Sequence, residues 1–213
     1  MLKMLTLIKR EIYDHIAYFL GAIIFSMILI ICMISATHRS DDYDAPELAV
    51  VLSFPVIVIL IIGFTSMGVS QMYTDKNKRI SAFLLTLPVT RGRILTARII
   101  TGILAILTLF LPMIITTIIL YGLLVPPVPV FKGMIFDIYT TIILTALACY
   151  CIGLQTGWMT GRALPPLAGL ILTFVFASII IIKGFGPEIQ LILITFVIAS
   201  VIRIRQKFMN TPL

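Results

Sequence analysis

The sequence predicts an all-α integral membrane protein with six transmembrane helices, preceded by an amphipathic helix at the N-terminus. Three observations predict it. Of 213 residues, 60% are hydrophobic and 12% charged, against about 45–50% and 25% in a soluble globular domain; mean hydropathy is +1.15. The apolar residues gather in long tracts, and roughly 20 of them in a helix cross about 30 Å of hydrocarbon. The lysines and arginines are concentrated in alternate connections. The whole chain, 1–213, is expected to form a single polytopic membrane domain.

The first 15 residues, "MLKMLTLIKREIYDH", place Met1, Met4, Leu5, Ile8 and Ile12 on one helical face, with Lys3, Thr6, Arg10 and Asp14 elsewhere. Such a helix lies in the membrane interface, either as a basic anchor that fixes topology or as an elbow with a mechanical part. The apolar tract that follows is longer than the core of a cleaved signal peptide, so it is expected to stay as a span.

The spans are expected at 16–36, 48–72, 94–122, 134–158, 163–182 and 187–204. Pro112 is expected to kink the third. Pro165 and Pro166 open the fifth in its first turn, where proline is tolerated. With six spans both termini share one side. That side carries 13 basic residues (Lys3, Lys9, Arg10, Lys76, Lys78, Arg79, Arg91, Arg93, Arg98, Arg162, Arg203, Arg205 and Lys207), and the other carries only Arg39, Lys132 and Lys183. The positive-inside rule then puts both termini in the cytoplasm. Asp41, Asp42, Asp44, Glu47 and Glu188 fall outside. The net charge of +7 is accounted for by topology and does not call for nucleic acid.

Missing chemistry narrows the function. The chain has no phosphate-binding G-x-x-x-x-G-K-[ST] loop, no H-E-x-x-H and no G-x-S-x-G. His15 and His38 flank the first span and cannot share a site within one chain. Cys149 and Cys151 are about 200° apart around a helix and, like Cys32, read as buried small hydrophobes. No carboxylate or histidine sits at mid-depth, where proton-coupled pumps place them. No catalytic residue, bound cofactor or metal site is expected in this chain. A channel or secondary carrier, a membrane scaffold and an energy-coupled permease remain open.

Two motifs stand out. "GLQTGWMTG" sets Gly153, Gly157 and Gly161 four apart, a smooth strip that lets helices approach closely in lipid. The contact is within the chain or between two copies, and a role in loop chemistry is the remaining alternative. Between the second and third spans, Ile80, Phe83, Leu84 and Leu87 form a short apolar stripe. Pro88 stops that helix, and Thr90 can cap the next. The stripe packs on the bundle, on the bilayer, or in a partner's groove.

The stretch "DKNKRISAFLLTLPVTRGRILTARI" resembles the loop between the second and third spans in permease subunits of type-2 ATP-binding-cassette (ABC) transporters. Leu84, Leu85, Thr86, Leu87, Pro88, Val89, Thr90 and Arg91 carry the match. Lys9, Arg10 and Glu11 stand where that family has an amphipathic elbow with an Arg-Glu pair. The chain departs from the family at Ile80 and Ser81, where many members have Gly-Thr. It also has only "KGFGPE" between the last two spans. The resemblance covers about 40 residues closely and the whole chain in topology. It implies that 80–87 is a coupling helix seated in a separate ATPase subunit, which would bind ATP and Mg. Arg91 would sit at the cytoplasmic rim. A second permease chain, as homodimer or heterodimer, would complete a transporter in the plasma membrane, with export the family's usual direction.

Overall fold

The computed structural model describes residues 2–38, 62–74, 90–124, 129–157, 167, 169–175, 178 and 186–210. Every regular element among them is a helix: α1 (Leu2–Asp14), α2 (Ile16–His38), α3 (62–74), α4 (Arg91–Leu124), α5 (Pro129–Gly157), α6 (169–175) and α7 (Pro187–Asn210). Four of these, α2, α4, α5 and α7, are long and apolar enough to cross a membrane. Along α2, Leu20, Ile24, Met27, Ile28 and Ile31 are all exposed, an apolar surface that water would not tolerate. The chain is a membrane protein.

The expected spans fall on these helices with shifted ends. The first runs two residues further, to His38. The third starts at Arg91 and ends at Leu124. Its start is set by Thr90, whose carbonyl accepts from the Arg93 and Ile94 amides at 3.0 and 3.4 Å, and the helix continues through Pro112. The fourth begins earlier, at Pro129, and the last runs on to Asn210. Both open on a proline, whose missing N–H costs nothing at a first helical position. Of the second expected span, 62–72 is helical; of the fifth, 167, 169–175 and 178 are. The remainder of those two spans, the coupling stretch with Ile80, Phe83, Leu84, Leu87 and Pro88, and Gly161 lie outside the described residues.

Packing arranges the helices as two pairs, α2 with α4 and α5 with α7, with α1 lying against α4. The core is a single large cluster drawn from α3, α4, α5 and α7, including Met67, Met72, Ile106, Phe110, Tyr150, Leu154 and Phe208. A smaller one joins Ala148 to Ile189 and Leu193. At one end of the α5–α7 pair, Gln190 Nε2 donates to the Asp137 carbonyl at 3.3 Å. Threonines along the spans satisfy their own hydroxyls: Thr101, Thr116 and Thr145 each donate to the carbonyl one turn back at 2.7–2.9 Å, so they present no unmet polar group to lipid.

Gly153 and Gly157 of the glycine strip pack within the chain. A Cβ at Gly157 would stand 2.8 Å from the Val69 carbonyl oxygen, one at Gly68 would stand 2.6 Å from that of Tyr150, and one at Gly153 would overlap the Thr65 carbonyl. The backbones of α3 and α5 therefore touch directly. At Gly63, by contrast, nothing lies within 4 Å of the Cβ position. Gly153→Ala is expected to force the two backbones apart and destabilise the protein by about 1–3 kcal/mol. Gly63→Ala should leave stability unchanged or slightly raised. Thermal unfolding midpoints of the detergent-solubilised variants test the contrast.

Candidate functional site

Where α1 meets α4, the bundle encloses a cluster of polar groups. Arg98 lies two turns into α4 and is 2% exposed; Glu11, near the end of α1, is 8% exposed. Arg98 Nε donates to Glu11 Oε1 at 3.4 Å. The rest of the guanidinium is enclosed: Nη1 lies 3.9 Å from Met72 Sδ, and the Phe208 ring faces the charge, its centroid 6.0 Å away, within cation–π range. Five helices reach this point. α1 brings Glu11, α3 brings Gln71 and Met72, α4 brings Arg98, α5 brings Tyr150 and α7 brings Phe208.

Tyr150 ties the cluster to the backbone. Its hydroxyl lies 2.6 Å from Gln71 Oε1 and 2.9 Å from the Arg98 carbonyl. A hydroxyl has one proton to give. With the Gln71 amide turned so that nitrogen faces the hydroxyl, the amide donates to Tyr150 and Tyr150 donates to Arg98. Gln71 Nε2 otherwise has no partner among the described residues. Gly102 gives the Tyr150 ring its room, since a Cβ there would overlap the ring.

His15 links α1 to α2 and is buried, with Nε2 3.9 Å from Glu11 Oε2, too long for a hydrogen bond. Burial pushes its pKa below the usual 6.5; Arg98 pushes the same way, and Glu11 and Asp14 oppose the shift. The imidazole is therefore neutral near pH 7. Its ring lies against Tyr18, the centroids 6.1 Å apart.

The expected elbow residues separate. Arg10 does not pair with Glu11; its Nε lies 3.6 Å from Asp14, one turn on, at the surface. Lys9 is exposed, its ammonium 6.0 Å from the Tyr13 ring centroid. Glu11 turns inward to α4. On the expected apolar face of α1, Leu5 is exposed and Met4, Ile8 and Ile12 are half-buried; Leu7, which lies off that face, packs against the core. Arg91 opens α4, and its Nη1 lies 3.5 Å from the Met209 carbonyl at the end of α7. The sequence counted Arg98 as one more topological charge. The missed signal is a lone arginine four residues inside the expected third span, a position that requires a partner, with an acid on the adjoining amphipathic helix to supply it.

The cluster holds no catalytic constellation. One charged pair and neutral neighbours fix α1 against the bundle. Among the described residues no three His, Cys, Asp or Glu side chains group to hold a metal. Two cavities lie elsewhere. One of about 370 Å³ lies between α2, α3 and α4. The other, of about 560 Å³, lies between α4 and α5, where the Thr117 and Tyr139 hydroxyls bond each other. Comparison with family models, curated proteins and solved structures finds no match.

The buried pair and the neighbouring His15 each lead to a prediction. Arg98→Met leaves the buried Glu11 carboxyl without its partner, a loss of about 3–5 kcal/mol. The double variant Glu11→Leu/Arg98→Met should recover most of that loss. Denaturation midpoints in micelles for the two singles and the double measure the coupling. The second concerns pH. A histidine with a depressed native pKa contributes nothing to stability above pH 6.5; below it, the unfolded state takes the proton first. Stability should therefore fall as pH drops from 6.5 through the native value, and His15→Asn should flatten part of that fall, read from melting temperatures across pH 7.5–5.

Proposed function

We propose that this chain is the membrane-spanning permease subunit of an ABC transporter of the type-2 kind. The observation that carries the reading is the residue pattern Leu84-Leu85-Thr86-Leu87-Pro88-Val89-Thr90-Arg91, an apolar turn pattern closed by proline directly ahead of the third span. In this reading six spans place both termini in the cytoplasm of a plasma-membrane protein. Ile80, Phe83, Leu84 and Leu87 seat in a groove of a separate ATPase subunit that binds ATP and Mg. A second permease chain, as homodimer or heterodimer, completes the pathway, and export is the direction the resemblance favours.

The buried pair supports a mechanical role for α1. The matched loop ends at Thr90, and α4 begins at the next residue. Arg98, two turns further on, holds Glu11. A displacement of the loop passes along α4 to α1 through a contact that is costly to break. ATPase closure would then move the N-terminal helix together with the third span. In this reading the energy for uphill transport enters from that partner, the spans carrying no carboxylate at mid-depth.

Leu84→Asp or Phe83→Asp is expected to detach the ATPase, or to abolish stimulation of its hydrolysis, while the spans stay inserted. The measurement is recovery of the ATPase subunit with the purified permease in mild detergent, wild type against variants. Equal recovery with unchanged hydrolysis would sink the coupling assignment. Recovery of no ATPase even with wild type would favour a scaffold.

A further inference from the structure

Met72 and Phe208, which close over Arg98, also line a third cavity, of about 140 Å³, between α3, α5 and α7. Unlike the other two, it is charged. Arg203 and Lys207 of α7 stand on its wall, Gln155 of α5 adds an amide, and Leu154 and Ile204 extend the apolar wall of Met72 and Phe208. Among the described residues no carboxylate lines it. The volume is below the roughly 300–1,000 Å³ of sites for drug-sized ligands, which suits a small group. Arg203 and Lys207 are four residues apart, so both project from one side of the helix. Like charges at that spacing repel, and an anion between them relieves the repulsion. A guanidinium offers a phosphate two parallel N–H donors, and an ammonium adds a compact charge.

Charge also decides what fits. Among the described residues, this end of the bundle carries three lysines or arginines on each of α1, the first turns of α4 and the last turns of α7. The acids there, Glu11 and Asp14, face Arg98 and Arg10. The sequence that follows α3 and α5 does not reverse the balance. Residues 75–89 hold Asp75 against Lys76, Lys78 and Arg79, and 158–166 hold Arg162 and no acid. A second copy laid symmetrically on this face would bring the same cations to meet them. The site calls for an anion from outside the chain. Its place on α7 says which. Ile198 and Ile202, which precede Arg203, are 55% and 52% exposed, so the cavity stands where the apolar surface of a span gives way to charge. Basic pockets between spans at that level suit lipid headgroups.

We propose that this cavity binds the phosphate of an anionic phospholipid from the leaflet on the α1 side. Arg203 and Lys207 hold the phosphate, Gln155 donates beside them, and the first methylenes of the lipid meet Leu154 and Ile204. This assignment does not depend on the permease reading.

The test is native mass spectrometry of the purified full chain in detergent with equimolar phosphatidylglycerol and phosphatidylcholine of matched acyl chains. The wild type should retain phosphatidylglycerol over phosphatidylcholine by about fivefold or more. Arg203→Gln/Lys207→Gln should bring the two lipids to parity, and Lys207→Arg, which keeps the charge, should keep the preference. Arg93→Gln/Arg205→Gln removes the same charge from exposed positions at the same end that do not line the cavity, and should also keep it. Circular dichroism of both doubles should match the wild type, since none of the four side chains is buried. Equal loss in the two doubles would overturn the proposal in favour of diffuse surface charge. A wild type without preference would overturn it in favour of an anionic partner protein. Inorganic phosphate at the lipid's concentration should leave phosphatidylglycerol bound; displacement would assign the site to a free anion and overturn the lipid reading.

Discussion

The described structure converges on the ion pair between Arg98 and Glu11. An isolated charge in a low-dielectric interior is costly, and removal of one partner leaves that cost uncompensated. The pair therefore constrains everything around it. α1 cannot leave α4 without exposing Arg98. Met72 and Phe208 close over the guanidinium, so α3 and α7 are drawn to the same point. Tyr150 reaches the Arg98 carbonyl, which fixes α5 in register. Apolar contacts in lipid are poorly directional, since lipid tails are as apolar as leucine. A charged pair with shaped neighbours supplies the direction.

The close contact of α3 and α5 works by the opposite means, through absence of side chains. Gly68, Gly153 and Gly157 bring the two backbones together, and the large residues Met67, Met72, Tyr150 and Leu154 then interlock on either side. Tyr150 belongs to both arrangements. Its ring fits over Gly102 and its hydroxyl joins the polar cluster. The polar and apolar parts of the core are thus joined in one residue.

Much of this was legible in the sequence, because length and hydropathy are local properties. Thr90 before α4 and Pro187 at the start of α7 were simple signals, whereas the start of α5 at Pro129, five residues before the expected 134, and the far ends of α2 and α7 were not read. The Gly153–Gly157 spacing announced a close helix contact, though not its partner, since Gly68 lies on a helix whose register no local pattern reveals. The pairing of Glu11 with Arg98 was not legible. The two are 87 residues apart, and an arginine near a span end reads equally well as a topological anchor. The packing of Leu7 against the core was hidden for the same reason: periodicity gives the width of a face and not its neighbour.

The position of the ion pair along α4 has a geometric consequence. The helix has 34 residues, and Arg98 stands near one end, about 10 Å from Arg91 and about 39 Å from Leu124 at the helical rise. A rod held at that point is an unequal lever. A small sideways movement of the Arg91 end swings the far end through about four times the distance, in the opposite sense.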